Sequence, residues 1–146
     1  MVLTAGLFAT LPAGSAGAAA KIRITAAYYN QGSACQTSTT NACLNKEYIV
    51  IRNSGTRAQQ MSGWTLRDAH YTGTPNVYRF PRFKLGPGHS VRIHSGKGSK
   101  TKSDLYWGRS DYVWGNDWDK AILKNKARTT ISKCSWTAAN TSPKYC

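Results

Sequence analysis

Apolar and polar residues alternate along three stretches of the chain: Lys21-Ile22-Arg23-Ile24-Thr25, Glu47-Tyr48-Ile49-Val50-Ile51-Arg52 and Ser90-Val91-Arg92-Ile93-His94. A period of two puts alternate side chains on opposite faces of an extended backbone, so each stretch reads as a half-buried β-strand. Shorter runs rich in β-branched and aromatic residues add Trp64-Thr65-Leu66, Val77-Tyr78-Arg79-Phe80, Asp104-Leu105-Tyr106-Trp107, Ala121-Ile122-Leu123 and Thr129-Thr130-Ile131. Turn residues separate them at Asn53-Ser54-Gly55, Gly73-Thr74-Pro75-Asn76, Leu85-Gly86-Pro87-Gly88 and Ser95-Gly96-Lys97-Gly98. No stretch keeps apolar residues at helical spacing for three turns. About eight short strands divided by turns specify an antiparallel β-sandwich or barrel, and periodicity alone leaves the two tied.

A longer series of residues breaks the tie. Glu47-Tyr48-Ile49-Val50-Ile51-Arg52-Asn53-Ser54-Gly55 is followed by Met61-Ser62-Gly63-Trp64-Thr65-Leu66-Arg67-Asp68 and Tyr78-Arg79-Phe80-Pro81. Leu85-Gly86-Pro87-Gly88, the strand 90–94 and Trp114-Gly115-Asn116-Asp117-Trp118-Asp119-Lys120-Ala121-Ile122-Leu123-Lys124-Asn125 continue it. Taken in order over residues 21–136, this series resembles the lamin tail domain family. Single pieces such as Gly63-Trp64-Thr65-Leu66 are unspecific; their order is what carries the likeness. The resemblance implies an immunoglobulin-like β-sandwich, the fold of this domain in nuclear lamins and in secreted bacterial proteins. In that family the domain stands alone or is joined to other modules, nucleases included, and carries no catalytic residues. The likeness departs at the last hairpin: family members usually place Gly there, but this chain reads Asn125-Lys126-Ala127-Arg128-Thr129, which leaves the turn type open.

Local chemistry gives separate reasons for the same residues. Gly63 lets the backbone turn sharply ahead of a large indole, and Trp64 and Leu66, two apart, share one face of their strand. The expected core is Trp64 and Leu66 packed with Ile49, Ile51, Val91, Ile93 and Leu123. Pro87-Gly88 suits a turn with Pro at its preset φ and Gly at positive φ. Asp119 opens a strand after an aromatic loop, where its carboxylate can accept N–H bonds from the turn.

Composition then adds a setting. The 146 residues allow one domain, and 40% hydrophobic content with 5 Trp, 8 Tyr and 3 Phe is enough for a packed core. Residues 1–20 carry no charge; the apolar stretch 2–11 is too short to span a bilayer, and Ala18-Ala19-Ala20 offers an A-x-A cleavage signal. They read as a secretory signal peptide, incomplete at its start because no Lys or Arg precedes the apolar stretch. The expected domain is then 21–146, working outside the cell without inserting in a membrane. An even set of cysteines fits export: Cys35, Cys43, Cys134 and Cys146 allow three pairings. Cys35–Cys43 and Cys134–Cys146 are favoured, because each closes a polar, turn-rich segment with little hydrophobic content of its own. The enclosed segments of seven and eleven residues are too long for a zinc-binding cysteine pair, and no metal or cofactor is expected.

Candidate chemistry was weighed against plain structural roles. The six acids, Glu47, Asp68, Asp104, Asp111, Asp117 and Asp119, are too few and scattered for most paired-carboxylate hydrolases. Calcium at Asp111, Asp117 and Asp119 is weaker than turn capping, since the segment follows no EF-hand pattern and Lys120 repels a cation. His70, His89 and His94 read as surface or strand-edge polar residues; no G-x-S-x-G elbow accompanies them. His94 and Lys97 miss the spacing of an H-x-K phosphodiesterase motif, and Gly96-Lys97-Gly98 lacks the Ser or Thr of a phosphate-binding loop. That segment reads as a flexible basic hairpin tip.

Charge is the feature that rises above background. Twenty Lys and Arg against six acids give a formal net charge of +14. No acid occurs between Ala69 and Ser103, or after Asp119. Lys97, Lys100, Lys102, Lys124, Lys126 and Arg128 are the expected contacts to a polyanion, against the plainer reading that the charge serves solubility. Tyr28, Tyr29, Tyr71, Trp114 and Trp118 are candidates for stacking on bases or sugars, or for core and rim positions. The expectation is a secreted, disulfide-bonded, non-catalytic binding module for DNA, an anionic envelope polymer or a protein. A small secreted phosphodiester hydrolase and a purely structural protein-interaction module are the alternatives.

Overall fold

A computed structural model describes residues 19–30, 32–69 and 76–146. Nearly all of the expected signal peptide, together with His70, Tyr71 and Gly73-Thr74-Pro75, lies outside the described residues. The strands are β1 (Ile22–Tyr28), β2 (Tyr48–Asn53), β3 (Gln59–Gln60), β4 (Thr65–Asp68), β5 (Val77–Arg79) and β6 (Lys84–Leu85). They continue as β7 (Ser90–His94), β8 (Asp104–Tyr106), β9 (Trp118–Lys124), β10 (Thr130–Thr137) and β11 (Lys144–Tyr145). A one-turn helix, α1 (Asn41–Leu44), precedes β2, its N-terminus capped by Thr40 Oγ1 accepting from Cys43 N.

The strands form a five-stranded sheet ordered β11-β1-β2-β7-β8, a four-stranded sheet ordered β10-β9-β4-β5, and the small pair β3-β6. The chain is therefore an immunoglobulin-like β-sandwich. Alternation drives it: Ile49 and Ile51 of β2, Val91 and Ile93 of β7, and Leu66 and Leu123 of β4 and β9 are fully buried, while their strand neighbours face outward. Trp64, 7% exposed, belongs to the same buried cluster. Gly63 ahead of it has φ +77°, and Trp64 N donates to Met61 O. Pro87 and Gly88 form the centre of a type II turn, Gly88 at φ +74° and His89 N reaching Gly86 O. Between the sheets Ile24 N donates to Ser132 Oγ, joining β1 to β10.

Disulfides join Cys35 to Cys43 and Cys134 to Cys146, with Cα separations of 5.4 and 5.7 Å. The second brings the C-terminal residue back to β10, while Cys146 N donates to Thr25 O and β11 pairs with β1. The last hairpin resolves into a turn in which Arg128 N donates to Asn125 O and Asn125 N to Thr129 O, with Arg128 at φ +64°. A non-glycine residue here holds the left-handed conformation that Gly adopts without strain.

One expectation is overturned. Residues 95–103 are not a flexible hairpin tip, because β7 and β8 pair in parallel. Two strands running the same way cannot be joined by a tight turn, so the connection folds back over the end of the sheet. Asn41 Nδ2 and Asn45 Nδ2 both donate to Lys97 O at 2.9 Å, and Lys97 N donates to Asn41 Oδ1 at 2.6 Å. These bonds fasten the segment to α1. Gly98 lies so close to the Tyr106 ring that a Cβ there would collide with it.

Candidate functional site

The outer face of the four-stranded sheet is built by the same alternation that fills the core. In β4 the buried residues are Leu66 and Asp68, which leaves Thr65 and Arg67 outward. In β5 burying Tyr78 exposes Val77 and Arg79, and in β9 burying Asp119, Ala121 and Leu123 turns Lys120, Ile122 and Lys124 outward. Lys133 follows on β10 opposite Ile122, and Lys124 lies opposite Thr65, itself opposite Arg79. Five cations thus share one sheet face. The two carboxylates of these strands, Asp68 and Asp119, point the other way and are buried.

A groove of about 410 Å³ runs along this face, lined by Arg67, Arg79, Lys124, Lys126 and Arg128 among polar neighbours. The β9–β10 hairpin carries the last two. Trp118, half exposed, stands at the start of β9. The expected six-residue polyanion site is therefore divided: Lys124, Lys126 and Arg128 join this groove, but Lys100 and Lys102 line a different hollow, and Lys97 is exposed on the segment fastened to α1. Arg67 went unrecognised as a partner, although its position between Leu66 and Asp68 already sets it on the outward side. Tyr29 and Trp114, offered as stacking residues, are buried; Trp136 stacks on Tyr29 with ring centroids 4.7 Å apart.

The acids behind the face are in unusual settings. Asp119 accepts from Gly115 N at 2.8 Å and from Lys120 N at 2.6 Å. Burial nevertheless pushes its carboxyl up to about 6, with the charge and hydrogen bond of Asp68 adding to the rise. Glu47, fully buried, accepts from Ser95 Oγ, Val113 N and Trp114 N, and burial pushes it up to about 8 against those bonds. It anchors the 107–117 loop to the start of β2.

The five-stranded sheet presents a different outer face. Tyr28, Tyr48, His94 and Tyr106 form a row across β1, β2, β7 and β8, with successive ring centroids 4.3, 5.0 and 4.9 Å apart. His94 is not the surface residue expected: it is 8% exposed. Its Nδ1 lies 2.8 Å from Asn45 O and its Nε2 2.9 Å from Asp104 Oδ1. Both partners are acceptors, so both ring nitrogens donate when both bonds form. Asp104 also receives Arg92 Nε at 2.8 Å and Ser103 Oγ at 2.6 Å. Burial would raise this carboxyl, but the Ser103 and His94 bonds and the Arg92 charge outweigh it and hold it at about 2. His89 is exposed, with Nδ1 donating to Pro87 O. Among the described residues no three His, Cys, Asp or Glu are grouped to hold a metal ion.

Fold, register and surface define an immunoglobulin-like domain with a cationic sheet face. The Lamin Tail Domain family matches residues 15–138, and the chain belongs to that family, whose domain is non-enzymatic. No curated protein matches the chain. No helix among the described residues is long and apolar enough to cross a membrane.

Proposed function

We propose that this domain is a non-catalytic binding module whose cationic sheet face and β9–β10 hairpin bind a polyanion. The observation that carries the reading is the segregation of charge: Arg67, Arg79, Lys120, Lys124 and Lys133 face outward from strands whose only acids face inward. Solubility asks for dispersed charge, whereas one-signed charge around a groove concentrates an anionic partner. DNA and the anionic polymers of a cell envelope are the partner class. Two disulfides fit a working place outside the cell, where such bonds persist. The hydrolase alternative has less support, because both nitrogens of buried His94 are already engaged.

Fluorescence anisotropy with labelled duplex DNA at several salt concentrations tests the proposal. Log affinity should fall against log salt with a slope of about −0.9 for each phosphate contact, with little sequence preference. Lys124→Gln, Lys126→Gln and Arg128→Gln together should flatten that slope. Absence of binding to DNA and to isolated envelope polymer at low salt would sink the reading. So would DNA cleavage that disappears with His94→Ala, which would restore the hydrolase.

A further inference from the structure

A second hollow, of about 390 Å³, lies between β6 and the 95–103 segment. Phe83 and Leu85 line it from the core side, both buried members of the central cluster. Arg82, Lys84, Lys100 and Lys102 line it from the solvent side, all exposed, and no carboxylate joins them. One wall is fastened: Lys100 Nζ donates to Arg82 O at 3.0 Å, tying the segment to the chain just ahead of β6. That bond uses one ammonium proton and leaves two free to donate.

The hollow combines two properties that the sheet-face groove keeps apart. Its size and apolar base are those of a small-molecule site, which buries a ligand's body and orients it with a few polar groups. Its rim is wholly cationic. None of the residues lining the 410 Å³ groove is a buried apolar one, so that groove offers charge without a base to pack on. We infer that the hollow beside β6 binds a small organic anion, its apolar body against Phe83 and Leu85 and its acidic group among Lys84, Lys100 and Lys102. A neutral molecule of the same shape would leave the cations unpaired. A bare inorganic anion would leave the apolar base uncovered. Each would bind more weakly than a ligand that meets both.

The probe is anilinonaphthalene sulfonate, compared with neutral phenylnaphthylamine, which keeps the aromatic body and lacks the acid. The anionic dye should bind at one saturable site, and added salt should weaken it without affecting the neutral dye. Replacing Lys84 and Lys100 together by Gln should weaken the anionic dye by about ten-fold, the effect of two partly screened ion pairs. Lys124→Gln, Lys126→Gln and Arg128→Gln should leave it unchanged while reducing DNA binding, so the two sites can fail separately. Equal affinity for both dyes, binding indifferent to salt and to the Lys84 and Lys100 changes, or no saturable binding would each overturn the inference. The salt comparison needs no substitution and stands even if the double variant loses its fold.

Discussion

The two outer faces of the sandwich carry cations in opposite circumstances. On the five-stranded sheet Arg92 and His94 share the Asp104 carboxylate, and the tyrosine row fills its length with its own ring contacts. On the four-stranded sheet Arg67, Arg79, Lys120, Lys124 and Lys133 stand on strands whose carboxylates are buried behind them. A net charge summed over the chain counts both faces alike. Pairing separates them: one face has much of its electrostatic demand met within the fold, while the other leaves it for a partner. The acids follow the same division, with Asp104 held at about 2 and Asp119 pushed up to about 6.

The largest test removes what both faces rest on. Trp64→Ala empties a buried site between the sheets and should cost about 3–5 kcal/mol, enough to unfold a domain of this size. Chemical denaturation measures it; an unchanged midpoint would break the assigned packing and the comparison with it. Next in size is the contrast between the faces. Asp104→Asn should cost about 1–3 kcal/mol, because Arg92 and His94 lose a charged acceptor. Lys124→Gln on the other face should stay within about 0.5 kcal/mol. Equal costs in denaturant titrations would erase the distinction.

Acidity sharpens the contrast by sign. The folded carboxyl of Asp104 lies below its unfolded value, so its contribution is present above about pH 4 and is lost as pH falls toward 2. Asp119 and Glu47 are raised in the folded protein, so their contributions are complete below about pH 4 and are lost as pH rises through 6 and 8. Denaturation midpoints across pH should therefore decline on both sides. Asp104→Asn should remove the acid limb, and Asp119→Asn should weaken the decline toward neutrality. The smallest effect belongs to Arg128→Gly, which relieves a left-handed arginine and should stabilise by about 0.5 kcal/mol after the entropy of glycine is subtracted. The same change removes one cation from the groove, so thermal midpoint and DNA affinity should move in opposite directions.

Alternation in the sequence told which side of a strand faces the core, and that is why β2, β4, β7 and β9 were legible. It does not tell which strand lies alongside. The parallel β7–β8 pair depends on Asn41 and Asn45 meeting Lys97 more than fifty residues later, a contact no local pattern encodes. β3, β6 and β11, of two residues each, are too short to show a period. The division of the six expected cations has the same origin: Lys100 follows Arg82, and Lys124 follows its strand partners, Thr65 of β4 and Thr130 of β10. Arg67 was legible in principle, since its neighbours Leu66 and Asp68 are the ones buried.

The Cys134–Cys146 bond reaches beyond the stability of a short tail. A seven-residue strand at the margin of a sheet would offer its unpaired amides and carbonyls to any passing chain. Because Cys146 is fastened to β10 and donates to Thr25, β11 lies over part of that margin and replaces it with a strand of two residues. Oxidation thus acts as a guard against self-association, and breaking this one bond in otherwise native protein should show first as light scattering that grows with concentration.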